Sequence, residues 1–190
     1  ALDEAKKESD FIVIDTPGSY SSLSKLAHSF SNTVITPLND SFMDLDLLAK
    51  IDGKNLEIKS PSIYSQMLWE QKMIKAKRDN GTINWIVVRN RLSSVDAINK
   101  RNMAIVLEKL AKRIGFTLAD GFSERVIFRE LFLQGLTLLD QESYNMTISH
   151  IAARQELRNF LKTLSIEIIN EKITDIEKTS SNSLREKMAV

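Results

Sequence analysis

Four short apolar runs that do not alternate constrain this chain most: FIVID at Phe11 to Asp15, TVITPL at Thr33 to Leu38, WIVVRN at Trp85 to Asn90 and, more weakly, FTLA at Phe116 to Ala119. A parallel strand covered by helices on both faces is apolar along its length, whereas a strand with one wet face alternates. Between the runs lie helical segments, Ser21 to Phe30, Ser41 to Lys50, Ser62 to Lys77 and Ser94 to Ile114. The order β-α-β-α-α-β-α-β predicts an α/β fold with a doubly wound, mostly parallel sheet and right-handed crossovers.

Ser94 to Ile114 carries the clearest helix signature. Ser93 followed by Asp96 offers a capping-box-like start, Met103, Val106, Leu107, Leu110 and Ile114 form one apolar stripe, and Gly115 sits where a left-handed cap is wanted. Farther on, Ser123 to Leu133 and Ile148 to Leu164 read as helices, with Gly135 and TLLDQES between them. Ile166, Ile169, Ile173 and Ile176 give a last amphipathic stretch before a polar, disorder-type tail, SSNSLREKMAV. The opening ALDEAKKESD reads as the last turns of a helix that feeds a buried strand.

With 190 residues and 43% hydrophobic content, one ordinary globular core is within reach. Lys and Arg number 26 against 25 Asp and Glu, so the net charge of +1 supplies no whole-molecule field for nucleic acid or acidic lipid. Any such contact must come from a local patch. The absence of cysteine excludes disulfides, thiolate zinc sites and cysteine-held iron–sulfur clusters within these residues. No apolar run approaches the roughly 18 to 20 residues of a membrane-spanning helix, and no signal peptide precedes the first strand, so a cytoplasmic protein is expected.

The segment FIVIDTPGS carries the most chemistry. Four apolar residues place Asp15 at the carboxyl end of a strand, where open α/β sheets hold ligands and a carboxylate can hold magnesium, usually through water. Thr16, Pro17 and Gly18 then make a turn whose Pro fixes φ and whose Gly brings a bare N–H to an anion, as a sensor of a terminal phosphate requires. The bland alternative is a strand followed by a Pro-Gly turn. In WIVVRNRLS, the Asn90 amide offers the donor and acceptor that read an adenine edge, and Arg91 a guanidinium that stacks on a base. Asn at a strand end is equally a turn former. Thr36, Pro37, Asn39 and Asp40 end another strand and either line the pocket or cap the helix from Ser41, capping being the better fit.

Arg101 and Lys112 share one face of the long helix with Glu108, Lys109 and Arg113 flank it, and Arg125 and Arg129 are spaced i, i+4 on the next helix. Adjacent helices would make these a cationic surface able to meet DNA phosphates without reading sequence. Glu108, Glu124 and Glu130 among them fit a solvated, salt-bridged face instead. His28 and His150 stand alone and read as structural or exposed. The Ile166 to Ile176 stretch carries Glu167, Glu171, Asp175 and Glu177, which suits packing or a partner rather than an anionic membrane.

Taken together, FIVIDTPGSYSSLSKLAHS, TPLNDSFMDLDLLAKID, WIVVRNRLSSVDAINKR, GFSERVIFRELFLQGLTLLD and SHIAARQELRNFL resemble the MipZ branch of the ParA/MinD family of P-loop ATPases. The resemblance runs nearly unbroken from Phe11 to about Leu164 and is more specific than DTPG alone. It implies an ATPase using ATP and Mg2+ that forms a nucleotide-sandwich homodimer, binds chromosomal DNA nonspecifically, interacts with the partitioning protein ParB and inhibits assembly of the division protein FtsZ. It further implies a cytoplasmic protein associated with nucleoid and pole. By the same resemblance Asp15 is the magnesium-side carboxylate, Gly18 the γ-phosphate contact and Asn90 the adenine-side residue. The cluster of Arg101, Lys112, Arg113, Arg125 and Arg129 is then the DNA surface, with lysines at several positions where the family has arginines.

One departure is large. The family's KGG-x-GKS/T loop and first switch have no counterpart in these residues, so the resemblance implies a domain incomplete at the N-terminus. On this reading residues 1–164 are the carboxyl-terminal two-thirds of the ATPase domain and 165–190 an amphipathic helix with its tail. The chain by itself is expected to hydrolyse little or no ATP. Two further readings stay open: a metabolic P-loop enzyme, and a non-catalytic fragment that binds DNA or a partner.

Overall fold

The computed structural model describes residues 2–18, 20–39, 41–93, 98–140 and 146–166. The elements run α1 (Leu2–Glu8), α2 (Ser22–Phe30), β1 (Thr33–Asn39), α3 (Phe42–Leu45), β2 (Ala49–Ile51), β3 (Ile58–Pro61), α4 (Ile63–Asp79), β4 (Asn84–Asn90), α5 (Ile98–Ile114), β5 (Thr117–Ala119), α6 (Val126–Leu133) and α7 (Ile148–Thr163). Strands β1, β4 and β5 form a parallel sheet in the order β1-β4-β5. Thr33 to Asn39 pair in register with Asn84 to Asn90, and Ile86 to Val88 with Thr117 to Ala119.

The apolar run of β4 is explained by its central place. Successive residues of a strand face opposite sides, and here both sides are covered. Trp85 and Val87 pack into a core with Leu38, Leu68, Met103, Leu107 and Leu110, while Ile86 and Val88 meet Ala119, Phe122, Phe160 and Leu164. Helices α4 and α5 therefore cover one face and α7 the other, the expected α/β arrangement. The α5 stripe is buried as its spacing predicts, with Met103, Val106, Leu107 and Leu110 all 2% exposed or less. Gly115 ends the helix at φ +75°, and its N–H donates to the Ala111 carbonyl at 3.0 Å. The Ser93–Asp96 start lies partly outside the described residues, which resume at Ile98.

A polar chain crosses this core. The Trp85 indole N–H donates to Thr36 Oγ1 at 3.0 Å, and Thr36 Oγ1 and the Tyr64 hydroxyl lie 2.8 Å apart. Burial pushes the Tyr64 phenol above its ordinary range, against the smaller opposing effect of Thr36. His28 is buried, bonded to the Ser24 carbonyl and edge-on to Tyr64. His150 completes the capping box of α7 with Thr147. Both lone histidines are structural.

Three sequence expectations need correction. Phe11 to Asp15 is not a buried strand: it has no ladder partner among the described residues, and Val13 is 93% exposed. An apolar run becomes a parallel strand only where neighbouring strands accept its N–H and C=O groups. The facing edge of β1 is itself unpaired among the described residues, and Ile35 on it is exposed.

The helix expected over Ser41 to Lys50 stops after Leu45, and Ala49–Ile51 instead pairs antiparallel with Ile58–Pro61. Asp52 makes that turn by accepting the Lys54 N–H at 2.9 Å and pairing with Lys59 at 2.9 Å. Ser65 Oγ donates to the Leu48 carbonyl at 2.6 Å and ties the hairpin to α4. The helix expected from Ser123 begins at Val126, because Ser123 forms a parallel bridge with Leu92. Part of TLLDQES, and all of the Ile166 to Ile176 stretch after Ile166, lie outside the described residues.

Candidate functional site

The site is built where β4 and β5 run out at their carboxyl ends. Pairing continues past the strands: Phe122 N–H donates to the Arg89 carbonyl at 2.8 Å, Leu92 N–H to Phe122 O at 2.9 Å and Glu124 N–H to Leu92 O at 3.0 Å. This extension pins residues 89 and 92. Between them, Arg91 takes a left-handed conformation at φ +54°. A non-glycine residue there costs about 1–2 kcal/mol, and Leu56, Asn80 and Ser165 adopt the same conformation elsewhere in the chain. Gly121 permits the close approach, since a Cβ on it would lie 2.5 Å from Leu92 Cδ1 and 2.7 Å from the Arg89 carbonyl oxygen.

A cavity of about 650 Å³ opens against this turn. Asn90, Arg91, Phe122, Ser123, Glu124, Arg125, Phe128, Arg129, Phe132 and Leu133 line it. Phe122 is held edge-on by Phe128 at 6.2 Å and by Phe160 at 5.5 Å, which gives the cavity a rigid aromatic wall. An apolar wall with an amide and guanidinium at its rim suits a flat heteroaromatic ring carrying polar edge groups.

Arg125 is fixed from behind. Its Nη2 donates to Glu156 Oε1 at 2.8 Å, its Nη1 to Ser149 Oγ at 3.2 Å, and Ser123 Oγ and N–H donate to the same carboxylate at 2.8 and 3.2 Å. Burial pushes the Glu156 carboxyl up, but the bonds from Arg125 and Ser123 together hold it below its ordinary range. Arg129 is different: exposed, and 3.8 Å from Glu124, itself exposed, a pair worth about 0–1 kcal/mol.

The structure thus brings Asn90, Arg91, Arg125 and Arg129 together, and no residue of Asp15 to Gly18 lines the cavity. Asp15, Pro17 and Gly18 are exposed and Thr16 half-buried, in the extended stretch before the α2 cap at Ser21. Thr36 belongs to the core, and Ser41 caps α3 by accepting the Met43 N–H at 3.2 Å. Arg101 lies near the start of α5, on the cavity's side of the sheet edge. Lys112 and Arg113 lie in its last turn, and Arg113 Nη1 donates to the Ile58 carbonyl at 2.8 Å. The helix rises about 16 Å from Arg101 to Lys112, so these two residues sit at opposite ends of α5.

Sequence reasoning overlooked Gly121, the three phenylalanines and Glu156. A glycine two residues after an apolar run was available as a signal of close backbone approach. Glu156 had no local signal, lying 33 residues from Ser123. Among the described residues no three His, Asp or Glu side chains gather as a metal site. Magnesium here would rest on Asp15 with oxygens supplied by a nucleotide, a one-carboxylate mode this ion uses. The residues present therefore fit the base end of a nucleotide better than its phosphate end.

Among curated proteins none matches this chain. The family described as ATPase MipZ has a sequence model that matches residues 1–168, a span reaching from α1 through α7. Over that length, with a parallel α/β sheet and a cavity at its carboxyl edge, the chain belongs to the MipZ family of ATPases.

Proposed function

We propose that this chain provides the base-side half of the ATP site in a division-site positioning ATPase, with the adenine seated in the cavity beside Asn90. Family membership supports ATP chemistry and a division-site role. The observation that carries the finer reading is the turn at Asn90 and strained Arg91, facing an aromatic wall at the carboxyl edge of the sheet. Asn90 is placed to hydrogen-bond the adenine edge, Arg91 to cover its face, and Phe122 and Phe128 to exclude water. Bound Mg-ATP supplies the scissile phosphoanhydride and the charge that Asp15 and the Gly18 N–H would sense.

In this proposal loss of the terminal phosphate frees the Thr16–Gly18 turn, and the ATP-bound protein forms the homodimer that meets DNA, ParB and FtsZ. Arg129 is the stronger candidate for phosphate contact, because Arg125 is committed to Glu156 and Arg113 to Ile58, whereas Arg129 is exposed and lies 3.8 Å from Glu124. Binding of a fluorescent ATP analogue to the full-length protein tests the base site. Asn90→Ala and Arg91→Ala should each weaken it about tenfold, the scale of one lost polar contact. Unchanged affinity in both would refute the placement.

A further inference from the structure

A second cavity, of about 370 Å³, opens at the opposite edge of the sheet. Asn32 and Gly81 precede β1 and β4, and the Asn84 N–H donates to Asn32 O at 2.9 Å, so this cavity sits at the amino ends of the strands. Its walls are Lys6, Phe30, Asn32, Lys75, Arg78 and Asp79, with Gly81 at the rim. Three cations around one carboxylate leave two positive charges.

The carboxylate is already taken. Asp79 Oδ2 accepts Arg78 Nη2 at 2.9 Å and Oδ1 accepts the Gly81 N–H at 2.9 Å. The Arg78 bond, outweighing slight desolvation, holds the Asp79 carboxyl below its ordinary range, so it is charged at neutral pH. Lys75 is left poorly served: its side chain is 7% exposed, and among the described residues its ion pair is to Asp79 at 3.8 Å, beyond hydrogen-bond reach. An ammonium has three donors, and a buried one is costly unless they are used.

Arg78 and Lys6 both lie over the Phe30 ring of the cavity wall. The Arg78 guanidinium lies 4.1 Å over the Phe30 ring and donates to Ser29 O at 2.9 Å, and Lys6 Nζ lies 5.9 Å over the same ring. The dipole at the end of α4 favours cations there. It does not account for a buried lysine, or for a third cation from α1.

We propose that this cavity binds a small phosphomonoester dianion, at a site separate from the base cavity. A phosphomonoester carries a charge of about −1.5 to −2 at neutral pH, which matches the excess here, and its oxygens would accept from Lys75, Lys6 and the Asn32 amide. Because α1, α2 and α4 all contribute to the walls, occupancy would fasten the amino-terminal segment to the sheet. The site does not depend on the ATP reading above.

The test is calorimetric titration of the full-length protein with inorganic phosphate at constant ionic strength, with AMP as a second probe. Saturable binding is expected, weakened about tenfold by Lys75→Met and by Lys6→Gln and unchanged by Asn90→Ala. AMP binding tighter than phosphate in the Asn90→Ala protein, where the base cavity is weakened, assigns a nucleotide monophosphate, and equal affinity assigns the free anion. Absence of saturable binding, or equal affinity in the wild type and the Lys6→Gln protein, overturns the proposal. Lys6 is exposed, so that variant decides the matter even where Lys75→Met fails to fold.

Discussion

Replacing Glu156 by alanine should loosen the whole carboxyl-edge cavity, because one carboxylate on α7 holds two of its wall residues. Its oxygens accept from Ser123 Oγ and N–H and from Arg125 Nη2, with Nε at 3.5 Å, and the Glu156 and Arg125 side chains are 19% and 21% exposed. A hydrogen bond to a charged group contributes about 1.5–3 kcal/mol where water is excluded. Partial exposure reduces each, so the set should amount to about 2–3 kcal/mol, including the cost of leaving Arg125 without its partner. Glu156→Gln keeps the shape and one acceptor and should cost about half as much.

Urea unfolding measures this directly. With a slope of about 2 kcal/mol/M, the alanine variant should lower the midpoint by about 1 M. The pH dependence has a definite sign. Because hydrogen bonding outweighs burial and lowers the folded-state carboxyl, the stabilisation is full above the ordinary glutamate range and is lost as pH falls through the folded value. The gap between wild type and Glu156→Gln should therefore be full at pH 7 and close in the acid range. A midpoint shift of less than about 0.3 M for Glu156→Ala, or an Arg125→Ala cost that is the same with and without Glu156, would refute the reasoning.

Gly121→Ala should cost about 1–3 kcal/mol, because the new Cβ meets the Arg89 carbonyl oxygen at 2.7 Å; a thermal midpoint equal to wild type would show that the turn can give. Thr36→Val keeps volume but strips the Trp85 indole and Tyr64 hydroxyl of their shared partner, so denaturation should show a loss of about 1–3 kcal/mol. Arg91→Gly should separate stability from binding: relief at φ +54° should raise stability by about 1 kcal/mol while affinity for a fluorescent ATP analogue falls. A less stable Arg91→Gly protein would mean that the side chain holds the turn in place.

Much of the fold was legible because its signals were local. The β4 run and the α5 stripe each state their own burial, and Gly115 marks its own cap. The β2–β3 hairpin was missed although Asp52-Gly53 is a turn signal, because Leu45, Leu47, Leu48 and Ile51 also fit a helix period, and periodicity cannot arbitrate over so short a run. What settles it is tertiary: the Leu48 carbonyl is taken by Ser65 on α4, not by the next turn of a helix.

Phe11 to Asp15 shows the opposite failure, and it bears on the chemistry. Its apolar run is a correct record of the environment it suits, a ladder with strands beside it, yet among the described residues nothing supplies that ladder. A carboxylate can position a metal or sense a phosphate only if its backbone is held, so the fate of Asp15 as a ligand follows the fate of Phe11 to Ile14 as a strand. Asn90 needs no such help, since Arg89, Leu92 and Phe122 already fix the turn that carries it. The two ends of the proposed nucleotide site therefore differ in kind: hydrogen bonds among these residues fix the turn at the base end, whereas among the described residues no strand pairing holds the Phe11–Asp15 stretch at the phosphate end.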